Sequence, residues 1–399
     1  MLTMWLSHWL SCGVDTERMR MRAAIAGTGF MGTTHAEALA RIGVTVVGIS
    51  GSSHAKAEAA ARQLQLPKAY RSYEALLADP EVDAVHITTP NNLHFPMARD
   101  ALQASKHVLC EKPLAMTSVE SAALVQLAAD TDRVSAVNYN VRYYPLCLDA
   151  ASRVQNPEFG KVHGIVGRYV QDWLLYPTDY NWRVRADVGG KLRVVADIGT
   201  HWVDLVSAIT GLKVSAVCAD LNTVYPQRTK PVGEVETYSN KLADAQAATE
   251  TLDIDTEDQA SILLRFDNGA RGCLWVSQVT AGRKNFLEYE ISGARRSLSW
   301  NSEEPNVMWQ GHRDRPNELL TKDPSLLSAH ARSHASYPGG HAEGYPDTFK
   351  QCFRAFYDCI AQKKKSAPML PTFADGDREI RLCEAILKSQ QEGAWVTIK

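Results

Sequence analysis

Short apolar runs alternate with helical spacings of apolar residues through the first third of the 399-residue chain. Runs of Val, Ile and Ala bounded by polar residues predict buried strands. They occupy residues 23–26, 44–49, 84–88, 107–110 and 134–138. The helices predicted between them cover residues 33–41, 54–64, 95–104 and 118–129. Strands that alternate with helices are typical of a doubly wound parallel sheet, so we predict an α/β domain over residues 21–144.

The pattern changes after about residue 145. Alternating apolar and polar positions, separated by turn-forming pairs, predict a large, mostly antiparallel sheet and hence an α+β domain over residues 145–399. Two polar segments that contain proline, residues 222–256 and 301–344, are interpreted as insertions or ligand-facing loops. We expect the chain to close with an amphipathic helix at about residues 347–363, whose aromatic residues pack in the core.

The charge balance argues against two classes of partner. The chain has 43 basic and 45 acidic residues, so no overall charge favours nucleic acid or an anionic membrane. Hydrophobic residues make up 45% and charged residues 22%, as in an ordinary globular protein. The eight cysteines show neither a C-x-x-C pair nor a metal-ligand spacing with histidine. We therefore predict a small-molecule ligand, no metal site and a reducing, cytoplasmic location.

Residues 1–20 are predicted to be a tail that precedes the folded unit. Trp5, Leu6, Trp9 and Leu10 form a short apolar patch, but no basic segment precedes it as in a secretory signal. The chain has no apolar run of the length that a membrane helix needs. We expect the folded protein to begin near Met19 or Met21.

A glycine-rich turn is the main sign of a cofactor. Gly27, Gly29 and Gly32 form the pattern G-x-G-x-x-G directly after the first predicted strand and before a helix. In dinucleotide-binding proteins the three glycines permit a tight turn, backbone approach to the pyrophosphate and close packing of helix on strand. With Phe30 and Met31, this turn is predicted to bind a dinucleotide at the helix N-terminus.

The end of the second predicted strand should choose between NAD and NADP. An Asp or Glu there would bind the ribose 2′-hydroxyl of NAD, but residues 50–56 contain no carboxylate. Hydroxyls and a lysine could accept a 2′-phosphate instead, and the candidates are Ser50, Ser52, Ser53 and Lys56. NADP is therefore favoured. The alternative is that the serines form only a turn and a helix cap and that either nucleotide binds.

Two further segments contain acid–base side chains. Glu111, Lys112 and Pro113 follow a strand that should end at the carboxyl edge of the sheet, where open α/β folds bind ligands. Asp197 and His201 are four residues apart and would share one face of a helix. Taken singly, each has an ordinary alternative, namely a solvated lysine, a capping carboxylate and a packed histidine.

Taken together, these segments resemble the family of glucose-fructose oxidoreductase, inositol dehydrogenase and MocA. The glycine-rich turn, residues Thr88–His94, residues Glu111–Pro113 and the pair Asp197 and His201 occur in the family's order and at its usual separations. The resemblance covers nearly the whole chain from about residue 21. The positions most similar to the branch of levoglucosan and glycoside dehydrogenases are residues 138–142, 171–173 and 182–183.

The resemblance implies a Rossmann domain for the nucleotide and a C-terminal domain whose open sheet contributes to a homodimer or homotetramer. It implies that Lys112, Asp197 and His201 are catalytic. Further residues implied to line the cofactor are Thr88, Thr89, Pro90, Asn91, His94, Glu111 and Lys112. Those implied to bind substrate are Asn140, Arg142, Asp172, Trp182, Arg183 and His201.

The implied reaction is hydride transfer between NAD or NADP and a secondary alcohol or ketone of a sugar, glycoside or polyol. Oxidation requires a base that removes the hydroxyl proton as the hydride leaves. His201 is the candidate acid/base because histidine titrates near neutrality, Lys112 shares the proton relay and Asp197 orients the reacting groups. Two alternatives stay open: a glycosidase that retains its NAD, and a non-catalytic sugar or dinucleotide sensor.

Overall fold

The computed structural model describes residues 13–231 and 249–398. Contacts divide the chain into two compact units. Unit 1 contains the described residues up to 114 together with residues 119–140 and 346–376, and unit 2 contains residues 115–118, 141–345 and those from 377 on. Whether the border predicted after residue 144 separates independently folding domains stays a prediction.

Unit 1 is built around a parallel sheet. The strands are β1 (Arg22–Ala26), β2 (Thr45–Ser50), β3 (Lys68–Ala69), β4 (Ala84–Ile87), β5 (His107–Cys110) and β6 (Ser135–Val137). Their order is β3-β2-β1-β4-β5-β6, and every neighbouring pair is parallel. The accompanying helices are α1 (Gly13–Arg20), α2 (Phe30–Arg41), α3 (His54–Gln63), α4 (Tyr73–Leu77), α5 (His94–Gln103) and α6 (Ser118–Asp130). The predicted doubly wound α/β fold is confirmed.

The strands of this sheet form where the sequence has unbroken apolar runs, because helices cover both faces of such a sheet. Residues 23–26 in β1 are completely buried, as are Val85 and Ile87 in β4. The strands whose carboxyl ends matter for the site, β1, β4 and β5, are therefore held by a continuous apolar core.

Unit 2 contains a mixed sheet of nine described strands in the order β16-β15-β14-β13-β7-β12-β11-β8-β17. Its strands are β7 (Val162–Val170), β8 (Val214–Asn222), β11 (Gln259–Phe266), β12 (Arg271–Ser277), β13 (Phe286–Gly293), β14 (Ser297–Asn301), β15 (Val307–Gly311), β16 (Glu318–Thr321) and β17 (Val396–Thr397). Only the pair β7 and β12 is parallel among these described strands, so the predicted mostly antiparallel sheet is confirmed.

The C-terminal half also contains elements outside this sheet. A separate hairpin pairs β9 (Gln227–Pro231) with β10 (Thr249–Asp253). The helices are α7 (Pro145–Val154), α8 (Ala186–Gly189), α9 (Thr200–Thr210), α10 (Ala329–Ser333), α11 (Tyr345–Ala361) and α12 (Phe373–Glu392). No helix in the described ranges has the length and apolar character that crossing a bilayer requires.

Three sequence expectations differ from the structure. Residues 13–20 of the expected tail form α1, and Arg18 on it is buried and ion-paired with Asp358 of α11. The two segments interpreted as loops contain strands β9, β10, β15 and β16. The chain does not close with α11, because α12 follows it. A glycine inside a helix, here Gly376, weakens the sequence signal for α12. The position requires glycine because a Cβ there would lie 2.8 Å from the Leu114 side chain.

Candidate active site

The glycine-rich turn after β1 has the shape that a dinucleotide needs. Gly27 has a φ of 123°, and a Cβ on it would lie 2.5 Å from the Thr88 hydroxyl. A Cβ on Gly32 would lie 2.2 Å from the Gly27 carbonyl oxygen. A Cβ on Gly29 would meet no atom within 4 Å, so its backbone is open to a ligand. Each glycine therefore serves the purpose that its place in the motif predicts.

The first turn of α2 completes this cradle. Gly29 is the N-cap residue and has no side chain to bond the N–H groups of the turn. The first turn has no acidic residue, and Phe30 is exposed while Met31 is half-buried. A helix start of this kind favours an anion such as a pyrophosphate. The residues present thus fit a dinucleotide.

The segment after β4 lies at the point where the strand order of the sheet reverses, between β1 and β4. Thr89 and Pro90 lie in the loop after the strand and are half-buried, and Asn91 and His94 are buried. The two ring nitrogens of His94 lie 2.6 Å from the Pro113 carbonyl oxygen and 2.9 Å from that of Thr89. Burial lowers the pKa of His94. His94 thus ties together the loops after β4 and β5, a role that does not require contact with the cofactor.

The four residues at or after the end of β2 that were predicted to bind a 2′-phosphate differ in burial and in hydrogen bonding. Ser50 is buried at the strand end, and the Ser53 hydroxyl accepts the Lys56 N–H at 3.3 Å as the N-cap of α3. Ser53 therefore has the capping role that was the alternative prediction. Ser52 is exposed and Lys56 is half-buried.

Glu111 is occupied by protein donors. Its Oε1 accepts hydrogen bonds from His35 Nε2 at 3.0 Å and from Asn138 Nδ2 at 2.6 Å, and its Oε2 accepts the Lys112 N–H at 3.3 Å. Burial alone would raise the pKa of Glu111, but the hydrogen bond from His35, the positive charge of a protonated His35 and the charge of Lys112 bring it down to about 2. Glu111 is thus an anion that organises this strand end, and the Lys112 side chain is half-buried beside it.

In unit 2, Asp197 lies just before α9 and His201 lies in its first turn. Residues Val195–Gly199 form a π-helical turn ahead of α9, whereas an ordinary helix from residue 197 was expected. Asp197 Oδ1 accepts a hydrogen bond from Arg183 Nε at 3.2 Å, and Oδ2 accepts one from Gln278 Nε2 at 2.8 Å. His201 is 7% exposed, with its ring 6.4 Å from that of Tyr169.

A buried charge cluster anchors this region, and sequence reasoning missed it. We call Arg193, Asp258 and Arg228 the arginine–aspartate triad; all three side chains are fully buried. Both guanidinium groups bond Asp258 Oδ1, with the Arg228 contact at 2.7 Å. Neighbouring Glu257 accepts the N–H groups of Arg193 and Val195 at 2.9 and 3.0 Å, which caps the start of the helix.

The triad also holds the loop that precedes the helix. Arg228 donates to the carbonyl oxygens of Leu174, Tyr176 and Asp179 at 2.9 to 3.0 Å. No local pattern could have indicated this, because the partners of Arg228 are about 50 residues away along the chain. Because Arg228 belongs to β9, the hairpin β9–β10 stabilises the loop that leads to Trp182 and Arg183.

The predicted substrate residues fall into two groups. Asn140 is buried and donates to the Thr348 hydroxyl at 2.6 Å, and buried Arg142 forms a two-point ion pair with Asp204. Asp172 pairs with Lys284 at 2.6 Å. Trp182 and Arg183 are half-buried, and the guanidinium carbon of Arg183 lies 4.4 Å from the centre of the Trp182 ring. The structure therefore brings Trp182, Arg183 and Asp197 together and gives Asn140 and Arg142 other partners.

Among the described residues, no group of three or more His, Cys, Asp or Glu side chains could hold a metal ion. The dinucleotide cradle and Lys112 belong to unit 1, and Asp197 and His201 belong to unit 2.

Comparisons with known proteins agree with this geometry. Residues 21–139 match a model of an oxidoreductase family with an NAD-binding Rossmann fold, and residues 147–299 match a GFO/IDH/MocA C-terminal domain. The chain is 28% identical to levoglucosan dehydrogenase of Pseudarthrobacter phenanthrenivorans over 95% of this chain and 98% of the relative. It is 27% identical to myo-inositol 2-dehydrogenase of Thermotoga maritima over 64% of this chain and 67% of the relative.

A solved structure is similar over the same extent. Levoglucosan dehydrogenase in complex with NADH and L-sorbose matches with a TM-score of 0.85 and 27% identity, covering 95% of this chain and 99% of that one. Both halves of the chain therefore have counterparts in one family. The chain belongs to the Gfo/Idh/MocA family and is an NAD(P)-dependent oxidoreductase of the sugar and polyol dehydrogenase type.

Proposed function

We propose that this protein transfers hydride between NADP or NAD and a secondary alcohol or ketone of a sugar, glycoside or polyol. The observation that carries the proposal is the position of Lys112 at the carboxyl end of β5. Strand β5 pairs with β4, and β4 pairs with β1, which ends in the glycine-rich turn. Doubly wound sheets bind their ligands at this edge, so an amine that can move a proton lies beside the expected nicotinamide position.

The acid–base roles follow from the chemistry of an alcohol. The nicotinamide, when bound, exchanges the hydride with the substrate carbon. His201 removes or returns the hydroxyl proton because an imidazole can do both near neutral pH. Lys112 orients the same hydroxyl and shares its proton. Asp197, whose two oxygens are held by Arg183 and Gln278, orients the substrate through a carboxylate that is already positioned.

The substrate is proposed to contact the half-buried group of Trp182, Arg183 and Asp197 rather than Asn140 or Arg142. An indole face and charged hydrogen-bonding groups suit the carbon face and the hydroxyl edge of a sugar. Asn140 and Arg142 are 2% and 5% exposed, and their polar groups bond protein partners. We expect Trp182→Ala to raise KM more than it lowers kcat, because stacking binds substrate and transition state alike.

A substrate screen tests the reaction class. Purified protein is mixed with NADP or NAD and with monosaccharides, inositols, anhydrosugars and glycosides, and reduced nicotinamide is followed by absorbance. Turnover of one compound class with either nucleotide supports the proposal. Cleavage of a glycoside without net change in absorbance would favour the glycosidase that retains its nucleotide. Nucleotide binding without any turnover would favour a sensor.

NADP is proposed as the preferred nucleotide. The support is the lack of a carboxylate in residues 50–56 together with the half-buried Lys56 and the exposed hydroxyl of Ser52. Ser53 contributes less because its hydroxyl caps α3. Titration of the protein with NADPH and NADH in parallel tests this choice, and tighter binding of NADH would contradict it.

A homo-oligomer, either a dimer or a tetramer, is also proposed. Val166, Leu263 and Trp275 are 43%, 52% and 37% exposed and lie on the neighbouring strands β7, β11 and β12. A contiguous apolar patch of this kind is typical of an interaction surface. Light scattering coupled to size-exclusion chromatography tests the prediction, and a monomer at micromolar concentration would contradict it.

A further inference from the structure

A row of four buried polar side chains runs through unit 1, and we call it the histidine row. It consists of Glu111, His35, His86 and Tyr357. His35 Nε2 lies 3.0 Å from Glu111 Oε1, His35 Nδ1 lies 3.0 Å from His86 Nδ1, and His86 Nε2 lies 3.0 Å from the Tyr357 hydroxyl. Glu111 is 6% exposed and the other three are 0% exposed. The row joins the end of β5 to α2, β4 and α11.

One arrangement of hydrogens satisfies the whole row. The Glu111 carboxylate can only accept, so His35 Nε2–H donates to it. With a neutral His35, its Nδ1 accepts from His86 Nδ1–H, and His86 Nε2 accepts from the Tyr357 O–H. Burial lowers the pKa of His86 and raises the pKa of Tyr357, which keeps both groups neutral as this arrangement requires.

Aromatic side chains of α11 enclose the two imidazoles. The Phe353 ring centre lies 4.6 Å from that of His35 and 4.8 Å from that of His86, both in edge-to-face contact. Phe349 and Phe356 contact the same rings at 6.0 and 6.2 Å. The enclosure keeps the imidazoles from rotating and from bonding water, so the donor that His35 presents to Glu111 has a fixed direction.

We propose that His35, oriented by His86 and Tyr357, is a positioning residue for Lys112. The inference rests on the proposed function, since it concerns the same site. Glu111 directly precedes Lys112 and its Oε2 accepts the Lys112 N–H, so the donor that orients Glu111 also orients the backbone from which Lys112 extends. His35 lies on α2, whose first turn belongs to the dinucleotide cradle. The histidine row therefore joins the nucleotide-binding helix to the strand end that carries Lys112.

Loss of the His35 donor has a defined electrostatic consequence. The titratable groups that influence Glu111 or are influenced by it are His35 on α2, His94 on α5, and Cys110 and Lys112 beside it in the chain. Burial is the largest influence on the pKa of Glu111 and acts to raise it, and the bond from His35 is the largest that opposes it. Without His35 the pKa of Glu111 rises, and a protonated Glu111 would no longer hold Lys112 in the same way.

Paired variants at residue 35 test the proposal. His35→Leu removes the donor, and we expect kcat to fall by about tenfold to a hundredfold, because a displaced acid–base group loses rate of that order. The acidic limb of the kcat profile should move to higher pH. His35→Gln keeps a donor at the same reach and should restore most of kcat and the original profile. Nucleotide dissociation constants should stay within about threefold in both variants, since the glycine-rich turn is intact.

A histidine at the other end of the same strand supplies the matched control. His107 Nδ1 accepts the Val134 N–H at 2.9 Å and has no contact with the histidine row. His107→Leu should lower thermal stability and leave the pH profile unchanged. A profile unmoved in His35→Leu, or a His35→Gln variant as slow as His35→Leu, would overturn the proposal.

A second readout does not depend on turnover. The ¹³C resonance of the Glu111 carboxyl carbon, assigned with a Glu111→Gln variant, reports its protonation directly. We expect no titration between about pH 5 and 8 in the wild type and a titration within that range in His35→Leu. A carboxyl that stays ionised in both would overturn the inference. Wild-type protein that oxidises no alcohol in the substrate screen would instead refute the proposed function, so the two failures are distinguishable.

Discussion

The buried polar clusters of the two units are held together by different interactions. In unit 1 the histidine row uses neutral hydrogen bonds that lead to one carboxylate, Glu111. In unit 2 the arginine–aspartate triad places two guanidinium groups on one carboxylate, Asp258. A neutral row loses about 1–3 kcal/mol when one partner is removed, whereas breaking a buried ion pair removes about 3–5 kcal/mol. We infer that the histidine row affects the reaction through Glu111 and Lys112, whereas the arginine–aspartate triad stabilises the fold of unit 2.

The contacts of each cluster agree with that division. The histidine row ends at Glu111, one residue from Lys112, and the Glu111 carboxylate accepts the Lys112 N–H. Arg228 of the triad contacts three backbone carbonyls of the loop before Trp182, and Glu257, next to Asp258 in the chain, accepts N–H groups of the backbone ahead of Asp197. Variants in the first cluster should therefore change rates and pH profiles, and variants in the second should change stability.

The largest effect is expected at Lys112 itself. Lys112→Ala should lower kcat by about 10²- to 10⁴-fold, the usual contribution of a group that moves or orients a reacting proton. Nucleotide binding, measured by fluorescence titration, should be largely retained. Lys161→Ala at an exposed position is the control and should leave both quantities unchanged. Unchanged turnover in Lys112→Ala would remove this residue from the mechanism.

The next largest effect is expected in the triad. Asp258→Asn leaves two buried guanidinium groups without their counter-charge and should destabilise the protein by about 3–5 kcal/mol, measured by denaturant unfolding. The exposed ion pair of Arg185 and Asp187 supplies the control, and Asp187→Asn should leave the unfolding midpoint unchanged. Equal midpoints for the two variants would contradict the structural role of the triad.

A smaller effect is expected in the acid stability of unit 1. The pKa of Glu111 is about 2 in the folded protein, below its unfolded value of about 4.3. A lowered carboxyl pKa contributes stability that is present above the unfolded value and lost as pH falls toward the folded one. Wild type should therefore lose about 3 kcal/mol between pH 6 and pH 2 that Glu111→Gln does not lose. Parallel acid-unfolding curves for the two proteins would contradict this.

The smallest effect is expected at the nucleotide's 2′ position. Lys56→Ala should weaken NADPH binding by about tenfold, since one charged contact with a phosphate is lost, and should leave NADH binding unchanged. Calorimetric titration with both nucleotides measures the ratio. Equal weakening of both would show that Lys56 does not discriminate between them.

How much the sequence could predict also differs between the units. In unit 1 five of the six strands, the glycine-rich turn and the strand end that carries Lys112 were predicted, because each depends on residues that are close together in the chain. The two-residue strand β3 was not predicted, because so short a pair gives no apolar run. His35 was missed in its role because its partners come from β4, β5 and α11. An amphipathic helix with one histidine on its buried face gives no local sign of those partners.

In unit 2 the antiparallel sheet was predicted, but the arginine–aspartate triad and the π-helical turn were not. Arg228 lies in a segment that was interpreted as a loop, and its partners are spread from Leu174 to Asp258. The π-helical turn at Val195–Gly199 also lacked a sign in the sequence, since apolar spacing alone predicts an ordinary helix there. Arg142 was expected to bind substrate because of the family resemblance, yet Asp204 takes up its guanidinium group.

The most direct test of the proposed dehydrogenase activity traces the hydrogen that leaves the oxidised carbon of the substrate. The substrate found in the screen is prepared with deuterium on the carbon that is oxidised, and the product nucleotide is examined by mass spectrometry. We predict one deuterium on the reduced nicotinamide per turnover, with the rate of transfer in Lys112→Ala lowered by the same factor as its kcat. Deuterium that remains in the sugar while product forms, with no reduced nucleotide released, would contradict the assignment as a dehydrogenase.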